Sequence, residues 1–289
     1  MKRTLIAGAA FASLFAVTSA SAADLSAYSK APAVAAVYDW TGYYLGTNVG
    51  YSMGRGSTNG SYTAYSERTV YTTASGAVVS DVITPLPGGL LSGNANMNGV
   101  VGGGQFGYNW QLGNWLTGLE SDIQAGGGNG AVNVCNVAGC PAGSSQFIAK
   151  YSLNWFGTAR ARLGFLAAER LMLYATGGLA YGDFGGGSPN LAYSLGSLRA
   201  GWTVGAGAEA ALGSNWSVKF EYLYMDLGNT GNISANQDTA YLSTAKSPIS
   251  TQTTVTQTVY SYLFNSKFTE NIVRVGVNYK FGGPAAAKY

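Results

Sequence analysis

The chain has 289 residues, of which only 10% are charged, with 42 glycines, 13% aromatics, no histidine and a formal net charge of +3. Soluble globular proteins carry about 25% charged residues, so the composition argues against an ordinary soluble domain. The missing histidine removes Ser-His-Asp and Cys-His catalysis and the usual zinc sites, and so small a net charge gives nucleic acid no electrostatic footprint.

Lys2 and Arg3 precede an apolar run over 5–17 and the small residues Ala20-Ser21-Ala22. This is the pattern of a cleaved signal peptide, residues 1–22, and the run is too short to span a bilayer. Cleavage removes two cations, 3 − 2 = +1, and leaves a nearly neutral mature chain. An Ala- and Pro-containing periplasmic linker is expected over 23–39, an outer-membrane domain over 40–283 and a short tail over 284–289.

Eight segments then alternate with period two: 43–53, 100–110, 115–125, 153–166, 171–184, 199–212, 216–227 and 271–281. Each approaches the roughly 9–11 residues that a tilted membrane strand needs. No later stretch reaches the ~20 apolar residues of a membrane helix. Lipid admits only helices or closed barrels, because every backbone polar group must be paired internally. The expectation is an all-β protein, an eight-stranded antiparallel transmembrane β-barrel in the bacterial outer membrane.

The connections sort by length. Gln111-Leu112-Gly113-Asn114, Ala167-Ala168-Glu169-Arg170 and Gly213-Ser214-Asn215 have tight-turn chemistry. The connections over 54–99, 126–152, 185–198 and 228–270 are long and polar. Short periplasmic turns and four long surface loops are the arrangement of an outer-membrane barrel. Trp40, Trp110, Trp115, Trp155, Trp202 and Trp216 all fall at strand ends, where aromatic girdles meet the membrane interfaces.

The opposite parity supplies a lumen. It carries Glu120, Asp122 and Gln124, then Arg160 and Arg162, Glu209, Lys219 and Glu221, and finally Arg274 and Lys280. Unpaired buried charge is costly, and eight strands leave an interior just wide enough for side chains to fill. A paired charge network plugging the lumen is expected. In the last strand Val273, Val275, Val277, Tyr279 and Phe281 share one face while Arg274, Gly276, Asn278 and Lys280 share the other.

Cys135 and Cys140 read as a small loop disulfide in an exported protein. A metal site is the weaker alternative, since there is no second pair and no histidine. Gly102-Gly103-Gly104-Gln105-Phe106-Gly107 and Gly205-Ala206-Gly207-Ala208-Glu209-Ala210 satisfy a dinucleotide-binding pattern, but that mechanism needs a following helix and both lie inside alternating strands. Glu120 with Asp122, or Glu209 with Glu221, could be cast as acid and base; salt bridges to the neighbouring cations also explain their parity. No cofactor is expected, although tyrosines such as Tyr62, Tyr65, Tyr71, Tyr260 and Tyr262 in the long connections suit surface recognition or haem ligation.

The sequence resembles the small outer-membrane barrels of alphaproteobacteria, the porin-family or outer-membrane immunogenic proteins related in fold to the OmpA-type membrane domain. The resemblance rests on Tyr38-Asp39-Trp40-Thr41-Gly42-Tyr43-Tyr44-Leu45-Gly46, on Trp155-Phe156-Gly157-Thr158-Ala159-Arg160-Ala161-Arg162-Leu163-Gly164, and on Leu173-Tyr174-Ala175-Thr176-Gly177-Gly178-Leu179-Ala180-Tyr181-Gly182. Phe220-Glu221-Tyr222-Leu223-Tyr224 and the closing strand complete it. It implies insertion by the barrel-assembly machinery, with Arg274, Gly276, Tyr279 and Phe281 as assembly signal, and an envelope or antigenic role in contact with outer-membrane lipid. A structural surface antigen, at most weakly pore-forming, is the leading expectation. A diffusion porin for small hydrophilic solutes, or a haem or host-surface receptor acting through the Tyr-rich loops, are the alternatives.

Overall fold

The computed structural model describes residues 38–72, 78–136, 147–191, 193–246 and 251–281. The signal peptide, nearly all of the linker, Cys140 and the C-terminal tail lie outside the described residues. The described chain forms nine strands: β1 Gly42–Thr72, β2 Val78–Leu112, β3 Trp115–Asn136, β4 Phe147–Ala168, β5 Leu171–Gly187, β6 Ser194–Ala211, β7 Trp216–Asn229, β8 Ile233–Lys246 and β9 Thr251–Lys280. Eight of them make a closed antiparallel ring, β1 to β7 followed by β9, shut by pairing of β1 with β9. The ninth, β8, lies outside the ring and pairs with the outer half of β9.

Alternation places the side chains as a membrane barrel requires. Tyr43, Leu45, Val49, Tyr51 and Met53 of β1 point outward and are exposed, while Tyr44, Asn48 and Ser52 point inward and are buried. The short connections fall at the expected turns. Between β2 and β3, Gly113 has φ of +63°, a left-handed conformation that a side chain would resist.

Two features differ from the sequence expectation. The long connections are largely paired strand rather than irregular loop: β1, β2 and β9 run for 31, 35 and 30 residues. The β1–β9 ladder continues to Thr72↔Gln252, so β2, β1, β9 and β8 carry a four-stranded ribbon beyond the expected membrane segments. β-branched density explains it, as in Thr251-Gln252-Thr253-Thr254-Val255-Thr256, because such side chains favour the pleated surface.

The interior also changes character along the barrel. On β4, Phe147, Ala149, Tyr151 and Leu153 are buried while Lys150 and Asn154 are exposed. A register shift between Leu153 and Trp155 resets the alternation, and Thr158, Arg160 and Arg162 become the inward residues. Beyond this level the outward positions of β4 include Lys150, Ser152 and Asn154, while its apolar side chains take the inner face.

Candidate functional site: the filled lumen

Strands β3, β4, β6, β7 and β9 each contribute charged side chains to one point inside the ring. Glu120 accepts from Arg160, from Arg162 at 3.4 Å and from Lys219 at 2.9 Å. Asp122 meets Arg160 at 3.0 Å and Arg274 at 2.8 Å. Glu221 accepts from Arg160 Nη1 at 3.1 Å and Arg274 Nε at 2.6 Å, and Glu209 from Arg162 Nη2 at 2.7 Å. Four cations thus face four carboxylates. The side chains of Glu120, Asp122, Arg160, Lys219, Glu221 and Arg274 have no solvent exposure. Buried ions survive only when paired and hydrogen-bonded, and pairing of this density supplies both.

Uncharged groups complete the network, and of these the sequence reading had placed only Asn278 on the polar face. The Tyr44 hydroxyl donates to Glu120 at 2.7 Å and accepts from Arg162 at 2.8 Å. Tyr174 donates to Glu221 at 2.9 Å, Thr158 to Asp122 at 2.9 Å and Ser217 to Glu209 at 2.6 Å. A chain of amides runs from Asn48 to Gln105 to Asn278 to Glu209, with steps of 2.6, 2.6 and 2.7 Å. All share the inward parity of the charges, which is the signal that could have found them.

The rejected nucleotide motifs have a packing explanation. A Cβ on Gly107 would stand 2.3 Å from the Tyr44 hydroxyl, and one on Gly207 would stand 2.6 Å from the Tyr174 ring. These glycines let two tyrosines lie flat across the neighbouring strand and reach the carboxylates.

An apolar layer closes each end of the network. On the periplasmic side Tyr38, Trp40, Leu116, Met172, Tyr174 and Ala211 pack together. Trp40 was expected in the aromatic girdle; it is 2% exposed and belongs to this cap instead. It precedes β1, so no ladder fixes its facing, and the chain crosses the barrel mouth with the Trp40 amide donating to Gln111 at 2.9 Å. Lys280 was expected in the charge network; at the end of the closing strand it reaches the cap instead, where it lies over the Tyr38 ring at 4.9 Å and donates to the Asp39 carbonyl. Burial pushes the Tyr38 phenol up to about 12, with Glu209 and Asp39 adding to the shift.

On the outer side the plug is larger, with Met97, Val134, Phe147, Phe184, Leu223 and Phe268 among its buried members. Phe184 and Phe268 pack with ring centroids 3.7 Å apart and their planes tilted by 34°. Tyr262 is 3% exposed, and Tyr62 and Tyr260 pack beside it. Three of the tyrosines expected to serve recognition therefore belong to the plug. Tyr65 and Tyr71 remain exposed.

The other tryptophans stand on the outer face. Trp110, Trp115 and Trp216 are about half exposed near the short turns, as is Trp202 at the far end. Trp155 packs against Tyr181 with centroids 6.2 Å apart. In the closing strand Arg274 lies inside the network, Gly276 is buried on the same parity, and Tyr279 and Phe281 face outward, 5.3 Å apart. Cys135 lies near the end of β3, and its expected partner Cys140 is outside the described residues.

The profile of the outer membrane protein beta-barrel domain matches residues 8–281. The chain belongs to that family. It is 36% identical to the 31 kDa outer-membrane immunogenic proteins of Brucella melitensis biotype 1 and Brucella suis biovar 1, across 97% of this chain and 100% of theirs. The 22 kDa outer membrane protein of Rhizobium leguminosarum bv. viciae is 35% identical over 126 residues, covering 43% of this chain and 52% of that one. Among solved structures, OprG of Pseudomonas aeruginosa aligns with a TM-score of 0.40 and 12% identity, covering 80% of this chain and 97% of OprG. The family is one of outer-membrane barrels, and the outer membrane is where this protein resides.

Proposed function

We propose that the barrel is a sealed structural element of the outer membrane and a surface antigen, without catalytic activity and with little or no passive conductance. The observation that carries this reading is the stacking of three fillings inside one ring: the periplasmic apolar cap, the ion network and the outer apolar plug. The lumen carboxylates are committed to cations, which argues against their use as acid and base. Among the described residues no group of His, Cys, Asp and Glu could hold a metal ion. Contact with outer-membrane lipid and insertion by the barrel-assembly machinery, with the closing strand as its signal, form part of the same proposal.

The test is single-channel conductance of refolded mature protein in a planar bilayer, with an unboiled-versus-boiled gel shift to establish folding. Silence or rare small events are expected. Large, steady openings from folded protein would make this a diffusion porin. Because the fillings lie in series, Arg160→Ala alone should remain silent, and openings should appear only when the outer plug (Phe184→Ala and Phe268→Ala) and the periplasmic cap (Trp40→Ala) are breached as well.

A further inference from the structure

The outer ribbon carries charge on its two faces in an unequal way. Directly opposed residues of an antiparallel sheet share a face, so the register assigns each side chain. Arg68 opposes Val82 of β2 and Thr256 of β9, and Thr256 opposes Tyr241 of β8. These four make one row across the ribbon. The acids nearby, Glu67 and Asp81, fall on the other face, where Thr69 donates to Asp81 at 3.3 Å. The connecting sequences 73–77 and 247–250 contain no Asp or Glu. Arg68 is exposed and is the one charged residue of its face among the described residues of the ribbon from 64–72, 78–86, 237–246 and 251–260.

Hydroxyls surround it. A shallow groove of about 510 Å³ holds Arg68 together with Ser66, Ser80, Thr84, Gln252 and Thr256, with Val70 and Val82 as its apolar members. The next positions on β9, Thr254 and Thr258, oppose Ser243 and Thr239 of β8 and extend the hydroxyl field toward Tyr241, which is 72% exposed. A flat, neutral field of donors and acceptors with one guanidinium and one open aromatic ring has a matching chemistry. Ser and Thr hydroxyls act as donor or acceptor as the partner requires, and a guanidinium engages carboxylate or sulfate through a bidentate fork.

We propose that this face of the ribbon binds an acidic saccharide, a sugar chain bearing carboxylate or sulfate groups. Arg68 holds the anionic group, the Ser and Thr residues satisfy the sugar hydroxyls, and Tyr241 offers its ring as a rigid contact surface.

The experiment measures binding of polygalacturonate, dextran sulfate and uncharged dextran to refolded mature protein in zwitterionic vesicles, with folding verified by gel shift. At least one acidic polymer should bind about tenfold or more tightly than dextran, and Arg68→Gln should remove that margin. Thr256→Val, which keeps the shape and removes the hydroxyl, should weaken binding roughly threefold. Arg55→Gln, at an outward-facing cation elsewhere on β1, should change nothing. Which acidic polymer binds separates a carboxylated from a sulfated ligand. Equal binding of all three polymers, or an unaltered affinity in Arg68→Gln, overturns the proposal. So does an equal loss in Arg55→Gln, which would mean diffuse electrostatic attraction, or an unaltered affinity in Thr256→Val, which would mean charge without sugar recognition.

Discussion

The two halves of the barrel interior solve one problem with opposite chemistry. Toward the periplasm the inward positions of β7 are Ser217, Lys219 and Glu221; further out on the same strand they are Leu223, Met225 and Leu227. The ring closes both, and both are filled. In the inner half the strands give their apolar side chains to lipid, so the polar ones face in and must satisfy one another. In the outer half the outward positions of β4 include Lys150, Ser152 and Asn154, and the interior becomes a largely apolar core in which Glu270 is buried with Ser52 as its hydrogen-bond donor. The comparison teaches that a barrel's lumen takes its chemistry from what lies outside each level of the wall.

The sharpest way to break this contrast is to leave the charged half unbalanced. Glu120→Gln keeps the shape but removes the carboxylate shared by Arg160, Arg162 and Lys219. A loss of about 3–5 kcal/mol is expected, the range for removing one partner of a buried ion pair, read from the urea midpoint of vesicle-refolded protein. A change below about 1 kcal/mol would mean that the network behaves like surface ion pairs. In the apolar half Phe268→Ala removes one ring of the tilted pair with Phe184, whose centroids are 3.7 Å apart. Cavity formation there should cost about 3 kcal/mol, with urea dependence otherwise unaltered.

Smaller effects test how tightly the inner half is packed. A Cβ on Gly46 would stand 2.1 Å from Asn278 Oδ1 and 2.4 Å from the Val277 carbonyl. Gly46→Ala should therefore destabilise by about 1–3 kcal/mol, as overpacking does; a neutral result would show that the amide chain can shift aside. Least sensitive is the outer surface, where Lys267 pairs with Asp226 at 3.0 Å while remaining 53% exposed. The hydrogen bond to Asp226 raises the Lys267 pKa, yet water and salt screen so open a pair. Lys267→Ala should leave the thermal midpoint unchanged within error.

The inner half was legible because lipid enforces strict alternation. Once Val273 and Val275 were assigned outward, Arg274 had to point in, and the same logic placed Arg160, Arg162, Glu120 and Glu221. Tyr44 and Tyr174 have inward parity but escaped because an aromatic residue fits either a girdle or a lumen, and the space their rings occupy is opened by Gly107 and Gly207 on other strands. Trp40 was misplaced because alternation holds only within a ladder and it stands before one. The outer half was read as loop because Thr and Ser look polar in composition, whereas their β-branching or small size lets them sit in paired strands. On β7 the inward chemistry changes from Ser217, Lys219 and Glu221 to Leu223, Met225 and Leu227 without a break in alternation, whereas on β4 it coincides with the register shift after Leu153, which alternation alone does not announce.

The ladder that shuts the ring joins the first strand of the barrel to the last, with partners such as Tyr44 and Lys280 separated by almost the whole chain. Contacts of such long sequence separation form late and slowly. Arg274 arrives on that final strand. Without it the ion network holds three cations, Arg160, Arg162 and Lys219, against four carboxylates, and Asp122 and Glu221 each lack a partner that they have in the finished barrel. Stitching the seam is therefore also the moment of charge neutralisation, which couples the topological end of folding to the electrostatic one and penalises any ring that closes in the wrong register.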